Sequence, residues 1–312
     1  MKDILPSELL KIGTRGSPLA LAQAAETRAR LMAAWDLPES AFEIVVIQTS
    51  GDRIQDRPLR LVGGKGLFTK EIEEQLLDGR IDIAVHSMKD MPTHQPDGLV
   101  LDTYLPREDV RDAFVSPTML NISELPQGAR AGTSSLRRRA QLLNFRPDLE
   151  VVEFRGNVHT RLKKLDNRLA SCTFLAMAGL NRLNVTGIGA NAIDTEDMLP
   201  AVGQGAIGIE RRSADEVTGN FLKPLNDVET EKRLVVERAF LATLDGSCQT
   251  PIAGLAVIEG SELILRGEVL RPDGTEKLSG IRIGSIADGV DMGHDLAIYL
   301  LSQAGPDFFS WR

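Results

Sequence analysis

The sequence predicts an α/β fold in two like domains followed by a smaller α+β domain, and three observations lead there. Strand-like and helix-like stretches alternate through the first hundred residues, and the alternation starts afresh past Pro106. Apolar residues recur at helical spacing after glycine- or serine-marked turns, as with Phe68, Ile72 and Leu76. Past Asn226 the order changes to helix, meander, helix.

"LLKIGTR" (9–15) reads as a buried strand, and Ser17-Pro18 opens a helix with serine as N-cap and proline in the first turn. "FEIVVIQT" (42–49) is a strand, "GGKGLFTKEIEEQLLDGR" (63–80) a glycine-rich loop leading into a helix, and "IDIAVHS" (81–87) a short strand. In the second domain "ARAGTS" ends a strand, and Ser134 or Ser135 can cap "LRRRAQLLNF". "LEVVEF" is a strand, "NVHTRLKKLDNRL" a helix and "CTFLAMA" a strand running into "GLNRL". "LPAVGQGAIGIERR" (199–212) is an apolar strand that the pattern sends back to the first domain. Asn226 with Glu229 three residues on suggests a capping box for a helix to about Leu244. Three strands with turn residues between them and a closing helix, "DMGHDLAIYLLSQAG", complete the third domain.

Of the 312 residues 42% are hydrophobic, enough for packed cores, and no stretch approaches the length of a membrane span. The start of the chain has no continuous apolar segment of the kind a secretory signal needs, so the expectation is a cytoplasmic protein. Cys172 and Cys248 are its two cysteines, there is no CxxC, and the four histidines are scattered; neither a structural disulfide nor a zinc site is expected. A net charge of −8 argues against nucleic acid as a partner. Yet between Arg130 and Arg182 eleven Lys/Arg stand against four Asp/Glu, which suits either a solvated basic face or a site for a small polyanion. No Walker motif or GxGxxG follows a strand, so nucleotides are not indicated.

Five stretches carry chemistry. In "TRGSPLALAQ", Arg15 and Ser17 lie where a strand turns into a helix, whose N-terminal N–H groups favour anions; helix capping alone would explain Ser17 but not Arg15. "VHSMKDMPT" places Ser87, Lys89 and Asp90 just beyond a strand, at the edge where open α/β sheets bind ligands. A carboxylate there can carry protons or stabilise a developing cation, or serve only as a turn residue. "GTSSLRRRAQ" sets three arginines at a helix start, where the helix dipole disfavours them; Arg137 and Arg138 are expected to face a cleft and Arg139 solvent. "FRGNVHTRLKKL" repeats the device with Arg155 and Arg161. "GSCQTPIAG" puts Cys248 on a loop, where a thiol can be reached for covalent attachment, whereas Cys172 reads as a small residue at a strand edge. Many separated arginines point to a ligand with several carboxylates. A dicarboxylate-binding protein and a thiol-dependent transfer enzyme are the rival readings.

"GTRGSPLALAQ", "VGGKGLF", "DIAVHSMKDMPT", "GTSSLRRRAQL", "RGNVHTRLKKLD", "LPAVGQGAIGIE" and "GSCQTPIAG" together resemble the porphobilinogen deaminase (hydroxymethylbilane synthase) family, over nearly the whole chain and in the family's order. The resemblance implies two periplasmic-binding-protein-like (type II) α/β domains, residues 1–105 with 203–224 and residues 106–202, plus a smaller C-terminal α+β domain, 225–312. It implies a transferase that joins four porphobilinogen molecules into the linear tetrapyrrole hydroxymethylbilane, with release of ammonia, on a dipyrromethane cofactor held by a thioether at Cys248. Asp90 matches the family's catalytic aspartate. Arg15, Arg137, Arg138, Arg155, Arg161 and Arg182 match its binders of acidic side chains. Ser17, Gln23, Ser87, Lys89, Thr133, Ser134 and Ser135 match supporting contacts, and Lys65 and Phe68 a lid loop. No metal is implied. The family expectation is a cytoplasmic monomer whose product passes to a uroporphyrinogen-forming enzyme. Ser247 and His159 depart from the residues familiar at those positions, without removing a chemical group the reaction needs.

Overall fold

The computed structural model describes residues 9–53, 66–246 and 250–311. The chain separates into two compact units, one made of the chain up to Arg107 with Ala206–Glu231, the other of Glu108–Gly205 with the chain from Lys232 onward.

In the first unit β1 (Leu10–Arg15) leads into α1 (Pro18–Trp35), followed by β2 (Phe42–Ile47), the single turn α2 (Ser50–Arg53), α3 (Lys70–Leu77), β3 (Ile83–Ser87) and β4 (Leu99–Tyr104). Ser17 caps α1, its hydroxyl accepting from the Ala20 amide at 3.2 Å, with Pro18 at the first helical position, where a missing N–H costs nothing. β1 pairs in parallel with β2 and with β3. Helices cover both faces of this sheet. Leu10, Ile12, Ile83 and Val85 pack with Ala24 and Leu31 of α1, while Ile47 and Ala84 pack with Ile72 and Leu76 of α3. The alternation of Ala84 and Val85 between the two faces is the period-2 signature of a strand buried on both sides.

The second unit opens with β5 (Asp112–Val115), β6 (Arg130–Gly132), α4 (Leu136–Phe145), β7 (Glu150–Val152), α5 (Val158–Asp166), β8 (Cys172–Ala176), α6 (Met177–Arg182) and β9 (Ala190–Ala192). Its sheet runs β7-β6-β8-β5-β9, with β7, β6 and β8 parallel and β5 antiparallel to β8 and β9. The capping serine of α4 is Ser135, which accepts from the Arg138 amide.

β10 (Ile207–Arg212) belongs to the first sheet, where the order is β2-β1-β3-β10-β4 and β10 is antiparallel to both neighbours. After α7 (Glu216–Leu222), α8 (Val228–Thr243) begins one residue later than its sequence signal suggests. Asp227, not Asn226, caps it through the Thr230 amide at 2.8 Å, because the Asn226 side chain is drawn to the Tyr104 amide and to Glu231. The antiparallel meander β11 (Ile252–Glu259), β12 (Glu262–Leu270), β13 (Lys277–Ser285) follows, and α9 (Gly289–Gln303) closes the chain. Phe240, Leu263, Leu265, Leu296 and Leu300 fill the core between this sheet and its helices. The molecule is thus mixed α/β with a small C-terminal sheet-and-helix layer. Among the described residues no helix is long and apolar enough to cross a membrane.

Candidate functional site

Parallel strands leave their carboxyl ends at one edge of a sheet, and the helices that follow bring their N-termini to the same edge. In the first unit that edge is a pocket lined by Arg15 at the end of β1 and Ser17 just after it, Gln23 of α1, Phe68 and Thr69 before α3, and His86, Ser87, Asp90 and Met91 around the end of β3. Six residues singled out from separate stretches of sequence, Arg15, Ser17, Gln23, Phe68, Ser87 and Asp90, therefore meet around one space. Lys89 shares with Asp90 the single 3-10 turn Met88–Asp90. Lys65, Cys248 and Ser247 lie outside the described residues.

Gln23 and Ser87 bind each other, the amide Nε2 donating to the Ser87 hydroxyl at 2.8 Å and the hydroxyl lying 3.0 Å from Oε1, which ties α1 to β3. Arg15 is held on two sides. Its Nη2 is 2.5 Å and its Nε 3.3 Å from the Asp52 carboxylate, and the Phe68 ring centre lies 4.2 Å from its guanidinium carbon. Burial opposes ionisation of Asp52, but the Arg15 hydrogen bond and charge outweigh it, so the carboxyl sits below its ordinary range. Gly51 makes room for this arrangement, since a Cβ there would stand 2.3 Å from the Phe68 ring.

In the second unit the three hydroxyls before α4 serve the backbone. Thr133 accepts from the Ser135 amide, Ser134 from the Phe154 amide at 3.0 Å, and Ser135 caps the helix. Arg137 and Arg138 differ from the sequence expectation that they face a cleft. Both are buried and converge on Asp112, which is fully buried at the start of β5. Arg137 Nη1 donates to one Asp112 oxygen at 2.7 Å; Arg138 Nε and Nη2 donate to the other at 3.1 and 2.7 Å. Gln204 Nε2 adds a bond at 3.0 Å, and Arg138 Nη1 reaches the Phe174 carbonyl at 2.8 Å. The reason is electrostatic: two guanidinium groups can leave water only with an acceptor between them. Burial works against the Asp112 charge, yet the two arginines hold its carboxyl far below the usual range. The Nε of Arg137 has no hydrogen-bond partner among the described residues. Gln141 links this cluster to Glu268 of β12, a carboxyl pushed up by burial.

Arg155 follows β7, and Lys164 of α5 donates to its carbonyl. Arg161 Nε donates to the Gly156 carbonyl at 2.9 Å, and Arg182 Nη2 to the Gly205 carbonyl at 3.1 Å. His159 is exposed on α5. Cys172 is buried in β8, and burial pushes its thiol up to about 12. Asp52, Asp112 and Gln204 escaped sequence reasoning. "RDAFVS" carries Asp112 with no glycine, histidine or repeated charge to mark it, and only its burial between two arginines gives it meaning.

Comparison with known proteins adds to this geometry. A family profile described as "Porphobilinogen deaminase, dipyromethane cofactor binding domain" matches residues 10–220, and "Porphobilinogen deaminase, C-terminal domain" matches 232–302. The chain is 62% identical over 306 residues to a porphobilinogen deaminase of Paracoccus denitrificans, covering 98% of each chain. It is 53% identical over 302 residues to that of Nitrobacter winogradskyi, covering 97% of this chain and 96% of the relative. Among solved structures, the periplasmic VFT2 domain of Bordetella pertussis BvgS matches 69% of this chain and 86% of its own at 14% identity and a TM-score of 0.42. The extracellular-binding protein ytmK of Bacillus subtilis matches 73% and 96% at 14% identity and a TM-score of 0.43.

Proposed function

The chain belongs to the porphobilinogen deaminase family, transferases that polymerise porphobilinogen into a tetrapyrrole and carry a dipyrromethane cofactor, and from that premise we propose which of its residues do the work. The observation that carries the assignment is the meeting of Arg15, Ser17, Gln23, Ser87 and Asp90 around one pocket at the carboxyl edge of β1 and β3.

Each condensation breaks the bond between the aminomethyl carbon and nitrogen of porphobilinogen, releases ammonia, forms one carbon–carbon bond and sheds one proton from a pyrrole carbon. Positive charge develops on a pyrrole ring as the amine leaves. Asp90 is the catalytic carboxylate: it accepts the pyrrole N–H, stabilises that charge and takes up or returns the proton. The dipyrromethane supplies the pyrrole carbon from which the chain grows, and Cys248 is its attachment point. The donor set in the described residues fits an acid-rich group. In the first unit Arg15 offers a half-buried guanidinium beside Asp90's pocket. In the second unit the Arg137–Arg138–Asp112 cluster keeps one more cation than anion, with one buried N–H of Arg137 unmatched. Arg155, Arg161 and Arg182 take further carboxylates, and Ser17, Gln23, Lys89, Thr133, Ser134 and Ser135 orient the groups that bind or donate. Phe68, stacked on Arg15, lines the pocket, and Lys65 is the second binding residue of the same loop.

The three separate sheets support a division into residues 1–105 with 203–224, 106–202 and 225–312. The reading extends to a cytoplasmic monomer that passes hydroxymethylbilane to a uroporphyrinogen-forming enzyme. The test is the intact mass of the protein beside Cys248→Ser. Two porphobilinogen units less their ammonia, present in the parent and missing in the variant, is the expected result. A parent that stays at bare polypeptide mass after incubation with porphobilinogen would overturn the assignment.

A further inference from the structure

Beneath the pocket lies a buried acid–imidazole cluster that the proposed chemistry leaves unused. His86, the penultimate residue of β3, has its Nε2 3.1 Å from an oxygen of Glu210 on β10, and the two side chains are 5% and 0% exposed. The second Glu210 oxygen is buried with no hydrogen-bond partner among the described residues. Glu73 of α3 interacts electrostatically with both, and burial, with Glu210 as a lesser contributor, pushes its carboxyl up. A carboxylate with one bonded and one orphaned oxygen in a protein interior is costly, and a packed apolar pair of the same volume would be as stable or more so. Stability therefore does not account for Glu210.

What Glu210 faces is the strand end that delivers Asp90. β10 is the template on which that end is built. The Met88 amide donates to the Ala206 carbonyl at 3.0 Å, and Ser87 and His86 pair with Ile207 and Gly208. Met88 lies across Gly208 so closely that a Cβ there would be 2.3 Å from its sulfur. Glu210 then reaches diagonally to His86, two residues along from the glycine that pairs with it. The bond between His86 Nε2 and the Glu210 carboxyl fixes the imidazole plane.

Resting on the reading of Asp90 as the catalytic carboxylate, we propose that Glu210 is a positioning residue which, through His86, fixes the end of β3 and with it the Met88–Asp90 turn. Among the described residues the titratable groups that interact with His86 are Glu210 from β10 and Glu73 from α3, and Asp90 lines the same pocket.

The test uses primer-loaded protein, verified by mass, carrying Glu210→Gln, His86→Asn or both. Glu210→Gln keeps the shape but replaces the carboxyl with an amide. The expected result is a fall in kcat of roughly tenfold to a hundredfold, as for a misplacement of about 1 Å. KM for porphobilinogen should stay within about twofold, the pH profile of kcat should move, and the double variant should lose no more than the worse single one. A purely structural role would lower the melting temperature while leaving kcat and its pH profile unchanged, and that result overturns the proposal. So does a double variant whose losses multiply. If Glu210→Gln fails to fold, His86→Asn alone decides on the same measurements. A parent protein that binds a primer yet ignores Asp90→Asn would instead sink the reading of Asp90.

Discussion

Replacing Asp112 with asparagine removes one negative charge and leaves two buried guanidinium groups facing each other. Asp112 accepts bonds from Arg137 Nη1, Arg138 Nε and Nη2, and Gln204 Nε2, spread over both oxygens. Asparagine keeps one of those oxygens and turns an N–H2 toward the arginine that lost the other. Removing one partner of a buried pair costs about 3–5 kcal/mol. The lower end applies, because Arg138 retains the Phe174 carbonyl and Arg137 retains Gln141 and the Leu199 carbonyl. At a urea m-value of about 1.5–3 kcal/mol/M, a loss of about 3 kcal/mol lowers the midpoint by roughly 1–2 M. Trp311 lies in the second unit and Trp35 in the first, so fluorescence in a Trp35→Phe background follows the unit that holds Asp112. The pH dependence has a definite sign. The Asp112 carboxyl is depressed in the folded state, so its stabilisation is complete above the unfolded value of about 3.9 and is lost as pH falls toward the folded value. The gap between parent and variant should hold from pH 7 to about pH 4 and narrow only below that. A gap under about 1 kcal/mol at neutral pH, or one already closing near pH 6, would refute the account of a buried charge held by two arginines.

Other expectations follow from the same geometry. Asp90→Asn should fold and carry the primer normally yet lose at least about a hundredfold in kcat, because an amide neither stabilises a ring cation nor takes its proton; steady-state porphobilinogen consumption measures this. Arg15→Ala should weaken substrate or primer binding by roughly tenfold with little change in melting temperature, since its ion pair is partly exposed. Arg138→Ala should do the reverse, losing stability by about 3–5 kcal/mol before occupancy falls, as urea midpoints and intact mass will tell. Cys172, buried with its thiol pushed up to about 12, should resist iodoacetamide at pH 8 in the native protein and react only on unfolding, as peptide mapping reports.

The sequence carried local information well and long-range pairing poorly. Ser17 and Ser135 announced their helices because a capping hydroxyl acts within three residues. The Asn226 signal slipped by one because its side chain is claimed by Tyr104, more than a hundred positions away in sequence and invisible to any local pattern. Asp90 and Arg15 could be picked out because they stand at or just past strand ends, where a polar residue is conspicuous. Asp112 and Glu210 lie within strands with no local motif to mark them, and become informative only once their partners, Arg138 on α4 and His86 on β3, are brought beside them. The arginine run stands out at a helix start, but its partner Asp112 on β5 was not foreseeable from spacing.

The arginines implied to bind carboxylates are thus not alike. A guanidinium has two edges that can each present a pair of parallel N–H groups. On Arg15 the Asp52 carboxylate takes the edge formed by Nε and Nη2, so the edge shared by Nη1 and Nη2 still has the geometry for a second carboxylate. Asp52 then preorganises Arg15 instead of competing for it, and Phe68 fixes the plane from above. On Arg138 all three nitrogens already end on acceptors of the fold, Asp112 and the Phe174 carbonyl, and the side chain is shut away from water. A ligand carboxylate could gain Arg138 only by breaking an assembly whose loss costs several kcal/mol, whereas it gains Arg15 by adding to one. In the proposed site Arg138 would therefore act on a ligand through the net positive charge it leaves in the cluster and through the place it gives Arg137, while Arg15 would act by contact.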